Sequence, residues 1–131
     1  MIVLTAKRYS KSLEDYLETI YMFGGKDVKS IDLANHLNVS RASVNNAINS
    51  LIKKNLVTKA LYGNISLTEE GLEVSKSVLA KHELLKEFLI DILHVKPKIA
   101  EEEACGIEHV ISDDTARRIK RLIKEIKSDS R

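Results

Sequence analysis

The sequence contains one cysteine, one proline and no apolar stretch approaching the roughly 18 residues of a membrane-spanning helix. A lone Cys105 excludes an intramolecular disulfide and leaves three roles for its thiol: buried filler, nucleophile or metal ligand. The opening run MIVLTAKRYS lacks the basic start and long apolar core of a secretory leader, so a cytoplasmic protein without membrane contact is expected. Internal repeats and low-complexity segments are missing too. Neither sign of charge dominates: 21 Lys and Arg stand against 19 Asp and Glu, and a net charge of +2 does not by itself point to a polyanionic partner. What is present, 44% hydrophobic and 31% charged residues over 131 positions, is the composition of one compact domain or of a small domain with an appended module.

From Ser12 the stretch SLEDYLETIYMF sets Leu13, Tyr16, Leu17, Ile20 and Tyr21 at helical spacing, with Ser12 as the expected N-cap and GGKD at 24–27 as the breaker. Two short amphipathic helices are predicted next, at about 30–37 and 41–53, joined by a tight polar link at 38–40. After Leu56 the pattern alternates around Tyr62, Gly63 and Asn64, which predicts a two-stranded hairpin with its turn near Gly63 and Asn64. Thr68 opens a long helix to roughly His94, Pro97 suits the first turn of a helix over 97–110, and Ser112 with Asp113 and Asp114 caps a last one. The predicted fold is mainly α, a winged helix-turn-helix over residues 1–70 followed by an all-helical domain over 71–131.

In a helix-turn-helix the second helix enters the major groove with its N-terminal residues against base edges. Those residues are Ser40, Arg41, Ala42, Ser43, Asn45, Asn46 and Asn49, and Asn is suited to adenine, Arg to guanine and Ala to a thymine methyl. Lys29, Ser30, Lys53, Lys54 and Lys59 are expected to reach phosphates, which would fix register rather than sequence. The competing reading is a solvated polar face on a helical hairpin. Tyr62 at the hairpin tip could equally pack on the wing or touch a backbone.

The other chemically dense stretch is EEEACGIEHVIS at 101–112. Cys105, Glu108 and His109 stand at i, i+3 and i+4, so on a helix they share one face, and thiolate, carboxylate and imidazole together suit a borderline divalent transition ion. Further ligands must come from elsewhere: Asp15 and Glu18, also i and i+3, His82, and Glu101 to Glu103. Each has an ordinary explanation. Ser12 to Asp15 fits a capping box, the glutamate run answers a helix dipole, and Cys is often a small buried hydrophobe. Cys105 with His109 as a nucleophile and base is the rival, but no Gly-rich turn or oxyanion-hole segment accompanies them.

The segments SLEDYLETIY, VSRASVNNAINSL, YGNISLTEEG, KHELLKEFL and EEACGIEHVIS together resemble, in order and spacing, the diphtheria toxin repressor and manganese transport regulator family. The resemblance runs from about Ser12 to Arg121. It implies a transcription regulator in which a divalent metal binds between a winged DNA-binding domain and a helical dimerisation domain. It makes Asp15, Cys105, Glu108 and His109 the principal ligands, places His82 where the family has a ligand of the other metal, and matches Glu18 to a carboxylate of manganese-type members. Asp15 stands where iron-type members carry methionine, whereas Cys105 stands where manganese-type members carry glutamate. Lys86 and Glu101 replace a carboxylate and a histidine of the iron-type ancillary site. The chain resembles the short form without an SH3-like domain.

The expected function is therefore a homodimeric, metal-activated repressor of metal uptake genes acting on a palindromic double-stranded DNA operator, with no catalysis and no small-molecule substrate. Mn²⁺ or Fe²⁺ is the expected ion, with manganese favoured by the two carboxylates of the first helix and Co²⁺, Ni²⁺ or Zn²⁺ able to substitute in vitro. Apolar residues of the helices between 97 and 127 are expected to form the dimer contact. A metal-independent winged-helix protein and a thiol enzyme are the alternatives from other classes.

Overall fold

The structure is a computed structural model describing residues 9–129. The ends of both predicted domains, residues 1–8 and 130–131, lie outside it. Two compact units divide at Lys76 and Ser77.

In the first unit, helix α1 (Lys11–Met22) begins two residues earlier than the sequence suggested. Its cap is Ser10, whose Oγ accepts from the Leu13 N–H at 3.2 Å, and not Ser12. Either serine precedes the apolar repeat; Ser10 has the extended backbone that a cap needs (φ −61°, ψ 155°). Helices α2 (Ser30–Leu37) and α3 (Arg41–Lys53) follow, and their link turns on Asn38, which adopts the left-handed conformation at φ 55°. Ser40 caps α3 by accepting from the Ser43 N–H at 3.1 Å. Strands β1 (Val57–Lys59) and β2 (Ile65–Leu67) pair antiparallel, Thr58 opposite Ser66, and Gly63 takes φ +84° in the tip.

The wing has an extra rung that the sequence reading did not anticipate. Val28 and Ile65 exchange both backbone hydrogen bonds at 2.8 Å, and the Leu67 N–H donates to the Gly25 carbonyl at 2.9 Å. The segment read as a simple helix breaker thus anchors the wing to the end of α1. Leu17, Ile20, Leu33, Val44, Ile48, Leu51, Leu56 and Ile65 are fully or almost fully buried and form the core of this unit.

Helix α4 (Glu69–Glu87) starts under Thr68, whose Oγ1 accepts from the Gly71 N–H. Gly71 cannot be replaced without displacement, because a Cβ there would stand 1.9 Å from the Leu56 carbonyl oxygen. The expected continuous helix to His94 is not found: α4 gives way to a π-helical turn at Phe88–Ile92, and His94 ends it in the left-handed region at φ 59°. Its wide turn comes just before the chain reverses toward Pro97.

In the second unit, α5 (Pro97–Ile107) has Pro97 in its first turn and ends before residue 110, with Glu108 as its C-cap in helical conformation. Helix α6 (Asp113–Asp129) is capped by Ser112, whose Oγ accepts from the Thr115 N–H at 3.0 Å. Leu85 and Leu89 pack with Ala100 and Ala104, while Leu84 packs with Ala116 and Ile123. The small alanines let α5 and α6 approach the end of α4 closely. The observed architecture is the expected winged helix-turn-helix and helical domain. No helix of the described residues is long and apolar enough to cross a membrane.

Candidate metal centre and nucleic-acid interface

Every base-reading candidate projects into solvent. Ser40, Arg41, Ala42, Ser43, Asn45, Asn46 and Asn49 are all exposed on the start and outer face of α3, opposite Val44, Ile48 and Leu51, which bury its inner face. Ser40 is committed to the cap, and its hydroxyl also donates to Ser43 Oγ at 3.0 Å, which leaves the amide and guanidinium groups as the larger polar groups of this face. Lys29, at the N-cap position of α2, is exposed, and Ser30 is half-buried at the first position of that helix. Lys53, Lys54 and Lys59 are exposed, and Leu61 and Tyr62 stand out at the wing tip at 96% and 91% exposure. Tyr62 does not pack on its wing.

On α1, Asp15 and Glu18 each offer a carboxylate oxygen, the two within 4.8 Å of each other. Asp15 accepts from Lys11 Nζ at 2.9 Å. With the helix capped at Ser10, Asp15 lies outside the cap, which removes the capping-box explanation for it. A cleft of about 560 Å³ in this unit has Asp15 and Tyr16 on one side and Ser43, Asn46 and Ser50 on the other.

The second unit gathers His82, Glu101, Glu108 and His109. Glu108 is the focal group: its side chain is fully buried, and among the described residues neither oxygen accepts a hydrogen bond. Yet His82 Nδ1 lies 2.8 Å from Oε2, and His109 Nε2 lies 3.1 Å from Oε1. These close approaches lack hydrogen-bond alignment. A buried, unsolvated carboxylate is costly unless a positive charge compensates it. Donor atoms around an ion with bonds of about 2.1 Å lie about 3 Å apart when they are neighbours in an octahedral shell. The spacing and misalignment fit donor atoms that face a cation on each side of the carboxylate, and the carboxylate and imidazole donors suit a divalent transition ion.

His82 Nε2 lies 2.9 Å from Glu101 Oε1, and the other oxygen of Glu101 is 3.1 Å from Lys86 Nζ. The Lys86 ammonium, with His82 adding to it, holds the Glu101 carboxyl below the usual carboxylate range, and Glu101 in turn raises the Lys86 ammonium. Cys105 is exposed on α5. Glu102 and Glu103 are also exposed. A buried ion pair that the sequence reading missed, Lys81 Nζ to Asp113 Oδ1 at 2.7 Å, fastens the start of α6 to α4. The two residues are separated by 32 positions, and nothing local marks them as partners.

Comparison with known proteins decides what these two units are. Residues 8–65 match the model of the iron dependent repressor N-terminal DNA binding domain, and residues 68–131 match the iron dependent repressor metal binding and dimerisation domain. The chain belongs to the iron-dependent repressor family. An uncharacterized HTH-type transcriptional regulator of Methanocaldococcus jannaschii is 39% identical over 121 residues, covering 90% of this chain and 97% of the relative. The HTH-type transcriptional regulator MntR of Bacillus subtilis is 32% identical over 120 residues, covering 90% and 84%. Among solved structures, that of the manganese regulator SloR superposes with a TM-score of 0.76 at 28% identity, over 90% of this chain and 55% of that chain. The chain thus spans little more than half of SloR.

This member of the iron-dependent repressor family is a metal-dependent, DNA-binding transcriptional regulator with a dimerisation domain, and not an enzyme. The thiol-enzyme alternative falls away, and a match of the helical half to a metal-binding domain removes the metal-independent one. The family binds divalent metals.

Proposed function

We propose that the protein is a homodimeric cytoplasmic repressor of metal uptake genes whose operator binding is switched on by Mn²⁺ or Fe²⁺, with manganese preferred. The ligands in this reading are Asp15 and Glu18 from the DNA-binding unit and Cys105, Glu108 and His109 from the dimerisation unit, with His82 as a ligand of the other member of the metal pair. The observation that carries it is the Glu108 carboxylate, buried, without a hydrogen bond and flanked by two imidazole nitrogens at 2.8 and 3.1 Å.

The bound ion would supply positive charge beside the buried Glu108 carboxylate and tie ligands from two units together. A ligand shifts an equilibrium only by its differential affinity for the two states, so the arrangement in which both ligand sets can bind is favoured when the ion is present. In a two-fold dimer that arrangement would set the two α3 helices at the spacing of successive major-groove faces on a palindromic operator. Ile99, Val110, Leu122 and Ile126, all exposed apolar residues of the second unit, are the proposed dimer contact. Asp15 and Glu18 add hard oxygen donors, which favours manganese, and likeness to solved structures of a manganese regulator and a manganese-dependent repressor supports the same preference.

The test is anaerobic fluorescence anisotropy on a duplex selected from a random pool with Mn²⁺ present. Micromolar Mn²⁺ is expected to tighten binding at least tenfold over chelator, and Fe²⁺ to do so less. Equal affinity with and without chelator would refute metal activation.

A further inference from the structure

Resting on the reading of His82 as a metal ligand, a second question concerns which of its nitrogens binds and what holds the ring. The ring is nearly buried, and its two nitrogens face different carboxylates: Nε2 faces Glu101 at 2.9 Å and Nδ1 faces Glu108 at 2.8 Å. The contacts are not equivalent. Nε2 and Glu101 Oε1 have hydrogen-bond geometry, whereas Nδ1 and Glu108 do not.

A neutral imidazole carries one proton and one lone pair. The aligned contact is where a proton belongs, so Nε2 donates to Glu101 and the lone pair stays on Nδ1, beside the orphaned oxygens of Glu108. Glu101 is itself held. Its side chain is half-exposed and would sample other rotamers, but Lys86, one turn along α4 from His82, takes its second oxygen at 3.1 Å. Both oxygens of Glu101 are thereby engaged by protein groups.

We propose that Glu101 is a positioning residue that accepts the Nε2 proton of His82 and so presents Nδ1 to the metal ion, and that Lys86 anchors Glu101 in that pose. Carboxylates behind metal-bound histidines fix the tautomer and ring orientation, and their loss typically weakens metal binding 10- to 100-fold. Lys86 acts at one remove, so its loss has the smaller effect.

Two measurements on the full chain test this. Competition of Mn²⁺ against a chromophoric chelator is expected to show binding weakened on the order of 10- to 100-fold by Glu101→Ala. Glu101→Gln, which keeps a carbonyl acceptor for Nε2–H, should recover most of the affinity. Lys86→Gln should cost less than Glu101→Ala, with Lys86→Arg close to the parent. In the Cd²⁺-loaded protein, labelled with ¹¹³Cd and ¹⁵N, His82 should show scalar coupling of cadmium to Nδ1 and a proton on Nε2. Coupling to Nε2, or unchanged Mn²⁺ affinity in Glu101→Ala, would overturn the assignment. A parent protein that binds neither Mn²⁺ nor Cd²⁺ would instead sink the metal reading on which it rests. Thermal unfolding of each metal-free variant separates misfolding from mispositioning: equal losses in Glu101→Ala and Glu101→Gln, tracking a lowered midpoint, would count against positioning.

Discussion

The outer face of α3 and the interior around Glu108 are both polar, but they are polar in opposite ways. On α3, Arg41, Asn45, Asn46 and Asn49 stand in water above a buried stripe of Val44, Ile48 and Leu51. Around Glu108, carboxylate and imidazole groups have been taken out of water and left close together. A solvated polar group can be exchanged with little consequence for folding, whereas a buried one stripped of its partner costs stability. The proposed recognition face and the proposed metal centre therefore carry different stability penalties within one chain.

The sharpest way to expose that difference is the buried Lys81–Asp113 pair, whose side chains are 7% and 12% exposed. Removing one partner strands a charge, so Lys81→Met is expected to destabilise the protein by about 3–5 kcal/mol in chemical denaturation. The double replacement Lys81→Met with Asp113→Leu should regain most of that loss. Glu108→Gln should follow, weakening Mn²⁺ binding on the order of 100-fold while leaving the dimer and the fold in place, as read by isothermal titration and sedimentation. Global unfolding of Glu108→Gln would make the residue a structural part of the core instead.

Substitutions on α3 should do the reverse. Arg41→Ala or Asn46→Ala is expected to cost about 1–3 kcal/mol of operator affinity and relax specificity at one base position, with Mn²⁺ affinity and thermal midpoint unchanged. Lys54→Gln should weaken all duplexes alike and lower the salt slope by about 1. The smallest effect belongs to Lys127, which bonds Asp91 at 2.8 Å and Glu87 at 2.7 Å across the π-helical turn. Asp91 first and Glu87 second raise its ammonium above the ordinary value, so its contribution is complete below that value and lost as pH rises through the higher folded one. Lys127→Gln should lower the thermal midpoint barely at neutral pH, and the difference from the parent should vanish in strong alkali.

Helices α2 and α3 were legible to the residue because their signals are local: apolar spacing, a serine cap and a polar link each act within four positions. The same reasoning chose Ser12 over Ser10, since two serines precede one repeat and spacing does not separate them. It ran α4 on to His94 because apolar residues continue through the π-helical turn without a glycine or proline to mark it. The Val28–Ile65 rung and the Lys81–Asp113 pair join residues more than 30 positions apart, which no periodicity encodes. At the candidate metal centre, spacing grouped Cys105, Glu108 and His109, and His82 was one of several remote candidates until resemblance to a family gave it a ligand's place. The bond from Glu101 to His82 spans 19 residues and joins two different helices.

The wing tip has a spectroscopic consequence. The chain has four tyrosines and no tryptophan, so its intrinsic emission comes from tyrosine alone. Tyr16 is 5% exposed and Tyr62 is 91% exposed. A collisional quencher such as iodide reaches Tyr62 freely and Tyr16 hardly at all, which makes the end of the wing a built-in optical probe of whatever covers it.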